Sequence, residues 1–146
     1  MKSLTRISAL SLVLLALPAF AKDGVTNPAV KARMDTMQVI RGSMATLGDM
    51  ASGKTTFDAA RATEARSAMA GAAAQIVPGF QAPETDPVAE AAPAIWETFD
   101  DFSAKAENLV TAAEALNTTS LDGLKSTLGP VAASCKSCHE GYRLSK

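Results

Sequence analysis

The sequence predicts an all-α fold, an antiparallel four-helix bundle. Three observations carry that expectation: apolar side chains recur at threes and fours in four separate stretches, capping residues or glycine and proline bound those stretches, and no alternating β pattern of useful length occurs. The 146 residues, 47% hydrophobic and 20% charged, suffice for one packed domain and are too few for two.

The first helix starts at Asn27-Pro28, a cap followed by proline at the first helical position, and carries Val30, Met34, Met37, Met44, Leu47 and Ala51 on one stripe until Gly53. Thr55-Thr56 opens a second, alanine-rich stretch with Phe57, Ala60, Ala65, Ala68, Ala72 and Ile76 at helical spacing, stopped by Pro78-Gly79. A loop with Pro78, Pro83, Pro87 and Pro93 separates the halves of the chain, neither of which could bury a core alone. The third helix repeats every seven residues through Ile95, Phe99, Phe102, Ala106, Leu109, Ala113 and Leu116. Asn117 to Ser120 form a turn. The fourth helix carries Leu121, Leu124, Leu128, Val131, Cys135, Cys138 and Tyr142 toward the core, with a kink or restart expected at Gly129-Pro130.

Ahead of these elements, residues 1–21 read as a secretory signal peptide. Lys2 and Arg6 give a positive start, Ile7 to Leu17 is apolar, and Ala19-Phe20-Ala21 is a small-x-small cleavage site. The apolar run is well short of the roughly 20 residues needed to span a membrane, and no second run follows, so no span is expected after cleavage. The mature domain is then residues 22–146, exported to an oxidising compartment. A formal charge of −1 leaves no basic excess for a phosphate backbone, which excludes nucleic acid as the expected partner. Seven prolines and nine glycines without a period exclude a collagen-like chain.

Both cysteines and the only histidine of the chain fall in Cys135-Lys136-Ser137-Cys138-His139. On a helix the thiols at i and i+3 stand one turn apart on one face, where they can form thioethers with the two vinyl groups of one porphyrin while the adjoining histidine reaches the iron. That is the attachment geometry of c-type haem. The rival chemistries fit less well. A structural zinc needs four protein ligands, and no further cysteine or histidine exists. A thioredoxin-like pair belongs at the start of a helix beside a βαβ unit. A disulfide closing so small a loop contributes little and leaves the histidine unexplained.

The C-terminal pattern Leu124, Leu128, Val131, Cys135-Lys136-Ser137-Cys138-His139-Glu140-Gly141-Tyr142-Arg143, behind four helices and a leader, resembles the cytochrome c′ family, the class II c-type cytochromes. Arg33 and Met37 in the first helix and Ile95-Trp96 at the start of the third are similar to features of its members. The resemblance implies a periplasmic protein with one covalent haem c per chain, held between helices near one end of the bundle. It also implies a homodimer packed through the first two helices. Met37 falls at the family's distal position, as an iron ligand in low-spin members resembling cytochrome c556, or as an apolar side chain crowding a five-coordinate iron in cytochromes c′ proper. A basic residue at Arg33 tilts toward the second kind and Pro130 toward the first. Arg33 and Arg143 lie where the resemblance places cations near the haem propionates, with a helix-end partner for the dipole as the simpler role of Arg143.

Two functions follow as expectations. Electron transfer to periplasmic redox partners is the first, and binding of nitric oxide or carbon monoxide at the distal face is the second. An enzyme is not expected, because the single histidine is committed to the motif and leaves no acid-base pair or activated nucleophile. Trp96 is expected to pack in the core or at a haem edge. Glu90, Glu97, Asp100 and Asp101 are expected to form a solvated acidic face that could also dock a basic partner.

Overall fold

The computed structural model describes residues 24–145. The signal peptide expected at residues 1–21 lies outside the described residues. Six helical segments build a four-helix bundle, and among the described residues there is no β-strand beyond one isolated bridge.

Helix α1 spans Pro28–Ala51. The Asn27 side chain accepts from the backbone N–H of Ala29 and Val30, serving two of the donors that a helix start leaves orphaned. Gly53, with φ of 79°, takes the left-handed conformation that closes the far end and donates its N–H to Met50 O. The buried face consists of Val30, Arg33, Ile40, Ser43, Leu47 and Met50, while Met34, Met37, Met44 and Ala51 lie half-buried along its margin. The core-facing stripe is thus rotated from the apolar one read in the sequence, and takes in a cation and a hydroxyl.

Helix α2 spans Ala59–Ala73, three to four residues later than Thr55-Thr56 suggested, because Asp58 caps it by accepting the Arg61 N–H at 3.0 Å. Its buried residues are Ala62, Ala65, Met69 and Ala73, whereas Ala60 and Ala68 are exposed. A single turn, α3 (Ile76–Gly79), follows and buries Ile76.

The third bundle helix is broken. A turn, α4 (Ala94–Glu97), meets α5 (Phe99–Glu114) at Thr98, whose backbone leaves the helical region at φ −134° and ψ 53°. The expected stripe is otherwise the buried one: Ile95, Phe102, Ala106, Leu109, Ala113 and Leu116, with Phe99 half-buried.

Helix α6 spans Leu121–Tyr142, capped by Ser120. It runs through Pro130 without the expected restart. Proline removes the bond to the Ser126 carbonyl, but both residues are exposed, so water can replace it. Around the bundle α1 packs on α2, α2 on α5, α5 on α6 and α6 on α1, the last being the sparsest of the four. No helix among the described residues is long and apolar enough to cross a membrane.

Candidate functional site

Helical spacing places Cys135 and Cys138 one turn apart on the inner face of α6, half-buried and packed against the core cluster, and both are free thiols. Burial raises the pKa of each, so both sit as neutral thiols; Lys105 and Asp101 of α5 act in opposite directions on Cys138. His139 adjoins them as an exposed residue. Partial desolvation, and then the Arg143 cation, push its imidazole below the ordinary value, while Glu90 pushes it up. A neutral imidazole keeps the lone pair that an iron ligand needs.

On the neighbouring helix, Met37 and Met44 of α1 pack on the same core cluster as the two cysteines. Met37 is half-buried at the α1 margin, and the α1–α6 contact is the loosest in the bundle. Two free thiols one turn apart and an adjoining neutral imidazole form a donor set that fits a covalently held iron porphyrin, and a thioether packs on the same core cluster.

The two arginines are engaged by the protein. Arg33 is 6% exposed. It donates from Nε to Gly79 O and Nη1 to Glu84 O, both at 2.8 Å, and from Nη2 to Ala82 O, so three of its five N–H donors hold the loop after α3. Its guanidinium also lies over Phe80 at 4.7 Å and Trp96 at 5.5 Å from the ring centroids. Burial lowers its pKa, with Glu84 opposing. Trp96 donates its indole N–H to Phe80 O at 2.7 Å, which makes it a second anchor of the same loop. Arg143, at the end of α6, pairs with Glu90.

Three arrangements that fix the loops and helix ends were not legible in the sequence. Tyr142 donates to Asp101 Oδ2 at 2.6 Å, and its hydroxyl shares a 2.8 Å bond with Thr98 Oγ1, tying the end of α6 to the break between α4 and α5. Its ring stands edge-on to Phe102, which also contacts Phe80 and Phe99. Asp86 takes the backbone N–H groups of Thr26, Asn27 and Val88, fastening the long loop to the start of α1. Glu90 and Asp101, read as members of a solvated acidic face, are instead committed to Arg143 and Tyr142. The signal for Tyr142 was its place on the core stripe; nothing local marks Asp86 or Glu90.

Comparison with known proteins decides the kinship. The family model described as Cytochrome C' matches residues 28–143. The chain belongs to the cytochrome c′ family. It is 38% identical over 120 residues to cytochrome c-556 of Agrobacterium fabrum, covering 80% of this chain and 82% of that one. It is 35% identical over 144 residues to cytochrome c-554 of Cereibacter sphaeroides, covering 92% and 94%. Among solved structures, a nitric oxide complex of a variant of cytochrome c prime from Alcaligenes xylosoxidans superposes with a TM-score of 0.72 at 27% identity, covering 81% of this chain and 94% of that one. The cofactor of this cytochrome is haem c, covalently attached, and the two free cysteines of α6 match that attachment.

Proposed function

We propose that this cytochrome is a periplasmic electron carrier, not an enzyme, delivered by cleavage of residues 1–21 and working as the domain 22–146. The observation that carries the reading is the pair of half-buried free thiols, Cys135 and Cys138, beside His139 on the core face of α6. In this reading Cys135 and Cys138 would hold the porphyrin through thioethers, each thiol adding across one vinyl group, and the His139 imidazole would ligate the iron. When bound, haem supplies a one-electron iron couple. Met37 supports the same reading, since it packs against the same core cluster as the two cysteines and thioether ligation raises the reduction potential. Arg33 clamps the loop at Gly79 to Glu84, and a propionate contact would draw on the two N–H donors outside that clamp. Arg143 contributes a cation one turn beyond His139. A second copy packs through α1 and α2, where Val39 is a large exposed apolar side chain and Ala59, Ala60 and Ala68 leave a thin surface.

Diatomic-gas binding is the second reading. It is favoured by the nitric oxide complex among the structural neighbours and by the flexibility of a methionine at the distal wall, which could yield to a small ligand. Absorption spectra of the purified holoprotein in both oxidation states, with and without carbon monoxide and nitric oxide, separate the two. Electron transfer predicts a low-spin spectrum that carbon monoxide leaves unchanged. A high-spin spectrum with ready carbon monoxide uptake would overturn it in favour of gas binding.

A further inference from the structure

We propose that Glu90 is a positioning residue for Arg143, fixing the cation that stands one helical turn after His139 and so tuning the field at the iron's proximal side. The inference rests on the haem reading above. Glu90 belongs to the long loop, 53 positions from Arg143, yet backbone and side chain both meet the end of α6. Ala91 forms an antiparallel bridge with Arg143. Ala92 N donates to Tyr142 O at 3.0 Å, and Leu144 N donates to Glu90 O at 2.8 Å. This main-chain clasp delivers the Glu90 carboxylate to the arginine side chain, where Oε2 accepts from Nε at 2.7 Å and lies 2.6 Å from Nη2.

The ion pair has more consequence for electrostatics than for stability. Both side chains are partly exposed, and exposed pairs contribute little to folding. Its members nevertheless stand beside the motif, since Arg143 donates its backbone N–H to His139 O at 3.2 Å while its side chain is held by Glu90. A guanidinium held by Glu90 presents the proximal side with a nearly neutral pair. Released, it presents a mobile positive charge, which favours the reduced iron.

The test is a double-mutant cycle on the midpoint potential of the holoprotein, with Glu90→Ala, Arg143→Met and the combination. The main-chain clasp persists in all three, so each is expected to fold and retain colour. Glu90→Ala should raise the potential in the natural background and raise it by about twofold less, or not at all, when Arg143 is already methionine. Glu90→Gln, which keeps an acceptor without charge, should fall between wild type and Glu90→Ala. In parallel, the Arg143 Nε–H resonance should exchange faster with water in Glu90→Ala. Equal shifts in both backgrounds would mean that Glu90 acts only by its own charge, and would overturn the proposal while leaving the haem reading intact. A colourless wild-type protein would overturn both.

Discussion

Replacing Arg33 with methionine separates loop clamping from propionate binding. Methionine keeps much of the stem's bulk, so the change removes chiefly the three hydrogen bonds to Gly79, Ala82 and Glu84 and the stacking on Phe80 and Trp96. Those three loop residues are exposed, so their carbonyls regain water and each bond counts at about 0.5–1 kcal/mol. Stacking of the cation on two rings adds about 1 kcal/mol. The expected loss is about 2.5–4 kcal/mol, smaller than the sum of gross interaction energies because the unfolded arginine is well solvated. Urea unfolding of the holoprotein measures it, and amide exchange locates it: protection should fall in residues 79–84 and around Trp96. A loss below about 0.5 kcal/mol with unchanged exchange in that loop would refute the clamp. A shifted midpoint potential without either change would assign the side chain to the haem instead.

Other perturbations test the remaining elements. Leu124→Ala, at a fully buried position of α6, should cost about 2–5 kcal/mol in urea unfolding, and a loss under about 1 kcal/mol would contradict the packing described for that helix. Asp86 is held down to about 2 by the backbone N–H groups of Asn27, Val88 and Thr26. A depressed carboxylate contributes stability that is complete above its ordinary value of 3.8 and fades as pH falls toward about 2. Asp86→Asn should therefore be less stable than wild type at neutral pH and show a shallower acid loss in unfolding followed by circular dichroism; parallel curves would contradict the loop anchor. Met37→Ala should convert the ferric iron from low to high spin in electron paramagnetic resonance, and an unchanged spectrum would remove Met37 from the iron.

What could be read in advance was local. The cap Asn27 and the terminator Gly53 lie within a turn of what they control, so α1 begins and ends where the sequence suggested, and α6 begins directly after the turn expected at Asn117 to Ser120. The haem motif is legible for the same reason, since i and i+3 fix the two thiols on one face whatever surrounds them. Helix α2 was less clear because alanines on every side give a helical period little contrast, and Asp58 outcompeted Thr55-Thr56 as cap. The break at Thr98 carries no glycine or proline; it is fixed by a tyrosine hydroxyl from α6, 44 positions away. Arg33 stood out as a charge beside the apolar stripe and, through the family resemblance, as a candidate propionate partner. Its partners lie 46 to 51 positions on, and nothing in its neighbourhood distinguishes a loop clamp from a propionate ligand. Glu90 looked like any surface acid until the loop was seen lying against the end of α6.

Intact-mass measurement of the mature protein, produced where haem maturation operates and then extracted with acid acetone, probes the central claim most directly. The account predicts the polypeptide from residue 22 plus one haem, with the added mass and the colour both lost in the Cys135→Ser, Cys138→Ser double variant. A bare polypeptide mass, with the pigment in the organic phase or no pigment at all, would contradict it.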